Sequence, residues 1–385
     1  MHLVRLALTD FRSYETAEVD LDPGVTTFTG PNGAGKTNLI EAACYVATFS
    51  SHRVSADAAM IRSGTDRAIL RASIRGAAQG GAATGGAVRD SLVEIELNSG
   101  KANRVRLNRA PLARPRDALG TLRCVLFAPE DLAIVKGDPS ERRGFLDDLL
   151  VASRPRYAAV RADYDRVVRQ RNALLKSAKS AGRGEPAGLE VWDEQLVRHG
   201  AELILGRLKL VEVLRPLIEA SYADVAAGQR GASVSYRQGS ERSAVRDPEP
   251  DLDKLAGLLR ESLERLRRAE LERAVCLVGP HRDELELRIG DLPARGYASH
   301  GESWSLALAL RLAAFGLLRA DGDDPVLMLD DVFAELDAGR RDRLAELVAD
   351  AEQVLVTAAV CADIPARLAQ ASAGYLVRDG VIERG

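Results

Sequence analysis

Apolar and polar residues alternate along residues 3–9 and again along 17–21, and Asp22-Pro23-Gly24 then turns the chain into a third short apolar run at 25–29. Period-two alternation rich in Leu, Val and Thr predicts strands, so this stretch reads as a short β meander ending at Gly30. After Thr37 the spacing changes. Leu39, Ala42, Ala43 and Val46 recur at three and four residues, which puts them on one face of a helix. Further strands are expected at 68–74, 91–97 and 104–107, the first two separated by a Gly/Ala-rich tract at 76–87 that reads as a flexible surface loop.

From Pro139 onward helical spacing dominates, over 140–150, 154–179, 189–220 and 252–274. Two breaks interrupt it: a loop at 181–188, and polar linker sequence at 228–250 in which 233–236 reads as a strand. No heptad repeat is long enough for a coiled-coil arm. The last hundred residues return to α/β, with strands at 276–279, 284–289, 326–330 and 353–358, helices at 303–319 and 339–349, and a terminal hairpin turning at Asp379-Gly380. The two α/β ends therefore read as one discontinuous domain, residues 1–118 and 276–385, with a mostly helical lobe inserted at 119–275.

Composition narrows the function classes. Aromatics are only 4% of the chain, too few for an extended base-stacking platform, and a net charge of −3 gives no global basic field. Any nucleic-acid surface has to be local and directed at phosphates. The four cysteines, Cys44, Cys124, Cys276 and Cys361, form neither a CxxC pair nor a disulfide framework, which suits a reducing compartment. Arg5 and Asp10 arrive too early for a secretory segment, and no uninterrupted apolar run approaches the roughly 18 residues of a membrane span. A soluble cytoplasmic protein is expected.

Gly30-Pro31-Asn32-Gly33-Ala34-Gly35-Lys36-Thr37 matches GxxxxGK[ST], and it stands between a predicted strand and a predicted helix. In that setting backbone N–H groups and the helix N-terminus cradle phosphates, Lys36 reaches the β/γ oxygens of ATP, and the Thr37 hydroxyl ligates Mg²⁺. Val326-Leu327-Met328-Leu329-Asp330-Asp331, an apolar strand ending in two carboxylates, has the form of a Walker B segment. Asp330 would hold Mg²⁺ through water, and Asp331 would orient or deprotonate the attacking water. An acidic strand end is common by itself; the upstream P-loop gives it meaning. Ala334-Glu335-Leu336-Asp337 follows the aspartates, and Ser299-His300-Gly301-Glu302-Ser303 opens the preceding helix. Alone, Ser299 is a plain N-cap; in an ABC-type fold it faces away from its own P-loop and serves another molecule.

The order of P-loop, helical insertion, Ser-x-Gly signature, Walker B and D-loop resembles ABC-type DNA-repair ATPases. Several blocks resemble the RecF family in particular: Phe11-Arg12-Ser13-Tyr14, 30–41, Ser51-His52-Arg53, 127–132, Arg142-Arg143 with Phe145-Leu146-Asp147, 279–283, 299–303 and 329–337. They span essentially the whole chain, and the short insertion separates it from SMC relatives with long coiled coils. The resemblance implies an α/β fold, an ABC-type P-loop NTPase head with a helical lobe. It also implies that Asn32 and Lys36 touch the γ-phosphate, that Arg12 and Ser13 approach the nucleotide, and that Glu130 or Asp131 takes the place of a Q-loop. Ser299 and Gly301 would contact ATP held by the opposite protomer of an ATP-dependent homodimer. The implied activity is slow DNA-dependent ATP hydrolysis by a clamp on single-stranded or gapped DNA and its duplex junctions. The implied role is in recombinational repair, replication and SOS induction, with RecR and RecO loading RecA. Two departures stand out. Glu302 occupies a position where glutamine is usual and would repel phosphate unless protonated or turned away, and Val356-Thr357-Ala358 lacks a switch histidine, which predicts slow turnover.

For DNA, the densest basic run is Lys101, Arg104, Arg106, Arg109, Arg114 and Arg116, with no acid among them in sequence. Arg161, Arg166, Arg169, Arg171, Lys176 and Lys179 form a second candidate, whereas 260–273 alternates acids and bases as an ordinary exposed face does. His281-Arg282-Asp283 is open between a site and an ion-paired turn. No His/Cys cluster has metal-ligand spacing, so Mg²⁺ is the one metal expected. Two other classes compete: a transporter-type ATPase subunit, disfavoured by the strand-forming N-terminus and the large insertion, and a protein holding ATP as a structural ligand.

Overall fold

The computed structural model describes residues 1–77, 88–182, 184–226, 230–239, 251–370 and 372–385. Strands β1 (His2–Phe11) and β2 (Tyr14–Asp20) pair antiparallel, and β3 (Gly24–Thr29) leads through the glycine-rich loop into helix α1 (Lys36–Thr48). Strands β4 (Arg67–Ala77), β5 (Val88–Asn98), β6 (Arg104–Leu107) and β7 (Ala110–Pro111) follow, then β8 (Cys124–Phe127). The helical stretch holds α2 (Leu132–Lys136), α3 (Pro139–Ser153), α4 (Tyr157–Ser180) and α5 (Leu189–Val225), then β9 (Ala232–Arg237) and α6 (Leu252–Arg273). The chain continues through β10 (Glu284–Ile289), β11 (Leu292–Pro293), α7 (His300–Ala320), β12 (Val326–Asp330) and α8 (Ala338–Val348). It ends with β13 (Gln353–Ala358), α9 (Ala366–Ala369), β14 (Ser372–Arg378) and β15 (Val381–Arg384).

These elements divide into two compact units, one of Met1–Leu132, Ser221–Ala227 and Trp304–Gly385, the other of Ala133–Ala220 and Gly228–Ser303. The limits differ from those drawn on composition at 118/119 and 275/276. Strand β8, inside the sequence-drawn insertion, hydrogen-bonds to β12, whereas β10 pairs with β9 and β11 in a small sheet of the second unit. Sheet pairing, which composition does not report, puts β8 in the first unit and β10 in the second.

The first unit has two six-stranded sheets. One runs β2-β1-β4-β5-β6-β7 and is antiparallel; in β4 the alternate residues Ala68, Leu70, Ala72 and Ile74 are buried. The other runs β15-β14-β3-β13-β12-β8 and is parallel except for the terminal hairpin, whose turn residues Asp379 and Gly380 both have positive φ. Every residue of β12 and β13 is buried, as expected of parallel strands covered on both faces. Helix α1 touches β4 of one sheet and β8, β12 and β13 of the other, and its Leu39, Ile40, Ala42, Ala43 and Val46 join their shared core. The helix that carries the P-loop is therefore a central packing element.

Two expectations are corrected. The meander does not form: β3 lies between β13 and β14, not beside β2, because its five residues from Val25 to Thr29 are all buried and a one-sided sheet edge cannot cover them. Residues 276–279 are not a strand. The Cys276 amide donates to Asn172 Oδ1 at 2.6 Å and the Leu277 amide to Glu270 Oε1 at 2.7 Å, so side chains satisfy the backbone where a ladder was expected. Most of the predicted loop at 76–87, and 240–250 of the polar linker, lie outside the described residues, while Gly76 still belongs to β4.

In the second unit the charge pairs are internal. Arg171 is fully buried and pairs with Asp193 at 2.8 Å and Glu270 at 2.6 Å, and Arg207 grips Asp147 through two bonds of 2.7 and 2.8 Å. Arg161 pairs with Asp148 and Arg166 with Asp163. As a basic face, the second DNA candidate loses Arg171 altogether. The His281-Arg282-Asp283 turn is likewise structural: buried Asp283 accepts from Tyr236 Oη at 2.6 Å and from the Gly239 amide at 2.8 Å, and His281 bonds Tyr164 at 2.6 Å. Among the described residues α7 alone has the length and apolarity of a membrane span, and 72% of that stretch is buried inside the fold.

Candidate nucleotide site

The P-loop is shaped by glycines that nothing else can replace. Gly30 has φ +152°, and a Cβ there would lie 2.1 Å from the Val377 carbonyl oxygen; Gly35 has φ +112°, and its Cβ would meet Tyr14 Oη at 2.8 Å. Tyr14 donates to the Gly35 carbonyl at 3.0 Å, which ties the loop to the start of β2. Lys36 is 3% exposed and folds back over the loop, donating to the carbonyls of Gly30 at 2.8 Å and Pro31 at 3.1 Å. Pro31, Asn32 and Gly33 are exposed and Ala34 is buried. The loop thus presents its outer residues to solvent and its ammonium group to the cradle.

Thr37 Oγ1 donates to Asp330 Oδ1 at 3.0 Å, joining positions 293 residues apart. Thr357 Oγ1 donates to the same oxygen at 2.6 Å and accepts from the Asp331 amide at 2.9 Å. Asp331 has φ +51°, a left-handed step that ends the strand, and it is half-buried. Burial raises the Asp330 carboxyl above its ordinary range; the hydroxyls of Thr357 and Thr37 oppose that, and the neighbouring Asp331 charge adds to it. No lysine or arginine pairs with Asp330 among the described residues. A buried carboxylate held by two hydroxyls and lacking a cation fits a divalent ion, and one carboxylate with one hydroxyl, completed by phosphate oxygens, is the way Mg²⁺ is commonly bound. No cluster of three or more acidic, His or Cys ligands exists among the described residues to hold a metal otherwise.

Beside the loop lies a charged network. Glu41, fully buried on α1, accepts from Arg12 Nε at 2.9 Å and Arg12 Nη2 at 2.6 Å, from Ser51, and from Arg53 at 3.4 Å. Burial pushes the Glu41 carboxyl up, but Arg12 and Ser51 outweigh it and hold it below the carboxylate range. Asn38 links Ser13, at 2.9 Å, to Arg53, at 3.0 Å. Arg12, Ser13 and Arg53 are therefore gathered at the N-terminal half of the P-loop helix. Glu41 is the organiser that sequence reasoning missed. Its signal was an acid among the apolar positions of the helix.

Over 389 aligned residues and the full length of both proteins, the chain is 57% identical to the DNA replication and repair protein RecF of Frankia alni and 54% identical to that of Streptomyces avermitilis. The chain belongs to the RecF family. Residues 2–369 match the family model described as the RecF/RecN/SMC N terminal domain. A solved structure of the recombination mediator protein RecF with ATP, in the RecFOR pathway, is similar at TM-score 0.86 and 26% identity, covering 100% of this chain and 97% of that one. An SMC head bound to the winged-helix domain of ScpA is similar at TM-score 0.56 and 17% identity, which shows the fold alone. The fold is that of an ABC-type ATPase.

In a RecF-family chain the remaining elements have assignable places. Of the Q-loop candidates, Asp131 is occupied: it accepts from the Ala128 amide at 3.0 Å and from Arg311 Nε at 3.0 Å, while Glu130 is exposed. The signature residues Ser299 and Gly301 belong to the second unit. Ser299 Oγ accepts from the Glu302 amide at 3.3 Å and Glu302 Oε2 accepts from the Ser299 amide at 2.9 Å, a reciprocal capping box. The other Glu302 oxygen pairs with Arg230. The Ser299 amide and Arg230 hold the carboxyl below its ordinary range, and Glu302 is turned onto its own helix end.

The basic run lies on and around the far strands of the antiparallel sheet; five of its cations are exposed and Arg116 is half-buried. Space adds the acids that sequence lacked. Arg104 and Arg106 stand opposite Glu96 and Glu94 of β5, and Arg114 pairs with Asp117 at 3.3 Å. Lys101 and Arg104 line a polar cleft of about 740 Å³ together with Asp10, Asp66 and Glu96. The face is of mixed charge.

Proposed function

We propose that this chain is a slow DNA-dependent ATPase of recombinational repair, replication and SOS induction. In this reading two copies close around ATP and clamp single-stranded or gapped DNA near a duplex junction, acting in the cytoplasm with RecR and RecO to load RecA. The observation that carries the reading is the 3.0 Å closure of Thr37 on Asp330, which assembles phosphate cradle and metal carboxylate from opposite ends of a RecF-family chain.

Lys36 moves from the loop carbonyls to the β/γ oxygens, and Asn32 reaches the γ-phosphate from the exposed rim. Thr37 and Asp330 would hold Mg²⁺, which would supply positive charge against the negative charge that develops on phosphoryl transfer. Asp331 orients the attacking water. The stretch 356–358 has no histidine, and the Thr357 hydroxyl is committed to Asp330 and the Asp331 amide, so it adds no base and turnover is slow. Arg12 and Ser13 border the nucleotide, and Ser299 with Gly301 meets the ATP of the opposite copy. Moving such a closure from about 1:99 to about 99:1 takes about 5.5 kcal/mol of differential binding, which ATP and DNA supply together. Lys101, Arg104, Arg106, Arg109, Arg114 and Arg116 are the proposed phosphate contacts.

Sedimentation with ATP and gapped DNA tests the reading. The wild-type chain is expected to dimerise, whereas Lys36→Ala and Ser299→Arg stay monomeric. Dimerisation of both variants like wild type would exclude a composite site.

A further inference from the structure

One cluster in the first unit joins two thiols to a histidine that lies within electrostatic reach of Asp330. The Cys124 thiol, at the head of β8, donates to Cys44 Sγ on α1 at 4.0 Å. Cys44 is 7% exposed and Cys124 is half-buried. His52 stands beside Cys44, and both of its ring nitrogens are buried without a hydrogen-bond partner. Two thiols packed merely as small apolar groups require no such neighbour, and burying an imidazole with both nitrogens unsatisfied is costly. The other two thiols differ. Cys276 is buried in the second unit and pushed up to about 11, chiefly by burial, and Cys361 is exposed near Thr29.

We propose that Cys44 and Cys124 form a redox modification site, converted to a disulfide by a peroxide-class oxidant with His52 as proton carrier. Closing the contact from 4.0 Å to a bond of about 2.05 Å requires side-chain rotation about the two Cα–Cβ bonds. The Cys124 hydrogen bond and His52 together hold Cys44 below the ordinary thiol range against the cost of burial, while Cys124 lies well above it. Cys44 is therefore the attacking sulfur. Its thiolate takes one peroxide oxygen, the O–O bond breaks, and the second oxygen leaves as water after protonation. Cys124 then attacks the resulting sulfenic sulfur. Its thiol proton passes through His52 to the departing hydroxyl, so two thiols are oxidised and one peroxide is reduced to two waters. The bond would staple the P-loop helix to β8, whose Cys124 pairs with Val326 at the start of the strand that ends in Asp330.

The test uses the full reduced chain, treated with hydrogen peroxide, blocked for free thiols without unfolding, digested and analysed by mass spectrometry. A Cys44–Cys124 linked peptide is expected, reversible by dithiothreitol and absent in Cys44→Ser and in Cys124→Ser. His52→Asn should reach the same product several-fold more slowly, and an unchanged rate would remove the histidine from the mechanism. Oxidation of Cys361 with Cys44 and Cys124 still alkylatable, or linkage that appears only after unfolding, would overturn the proposal.

Discussion

Asp330 stabilises the site's chemistry at the expense of the fold. Its carboxyl is raised by burial, so the folded chain holds that proton more tightly than the unfolded chain does. Stability therefore falls as pH rises from the unfolded value through the raised folded one. Asp330→Asn removes the charge and keeps an oxygen for Thr37 and Thr357. The nucleotide-free variant is expected to melt a few degrees above wild type at neutral pH, with the difference shrinking in acid, while Mg²⁺-dependent ATP turnover is lost. Calorimetry at two pH values checks this; an unchanged or lower melting temperature would mean the carboxylate is compensated. The P-loop and Asp330 were legible because each is a contiguous pattern. Thr357 was noticed only within a stretch that lacks a histidine, since its role depends on the register that sets it opposite Asp330 across β12 and β13.

Among the elements, helix α7 shows what a local pattern can and cannot give. Ser299 with Glu302 three residues on is a capping signature that sequence carries. Its ion pair with Arg230 spans 72 residues, and no local signal announces it. Glu302→Ala removes one of the two reciprocal bonds and the pair with Arg230 and is expected to cost about 0.3–1 kcal/mol, measured by denaturant unfolding, whereas Glu302→Gln keeps an acceptor for the Ser299 amide and should cost less. Equal losses in the two variants would locate the stabilisation in the ion pair. The same distinction explains the misread β3: its apolar run was visible, but whether such a run joins its neighbour or a covered parallel sheet depends on partners more than three hundred residues away.

For the whole molecule, periodicity revealed the α/β ends and the helical middle, because each helix and strand writes its own period into the chain. The unit limits and the mixed charge of the basic face were hidden, since both depend on which strands lie side by side. The central claim is that a P-loop and Asp331 make half of an active site and a second copy's Ser299 completes it. Complementation tests it most directly: DNA-dependent ATP hydrolysis by Lys36→Ala and Ser299→Arg, each alone and mixed. In a mixed pair, the intact P-loop of the Ser299→Arg copy faces the intact Ser299 of the Lys36→Ala copy, so one site is whole. The account predicts near-silent single variants and a mixture that recovers at most about half of wild-type turnover, because only mixed pairs close and each has one of two sites intact. A Ser299→Arg chain that hydrolyses ATP at the wild-type rate, or a mixture no more active than its parts, would contradict it.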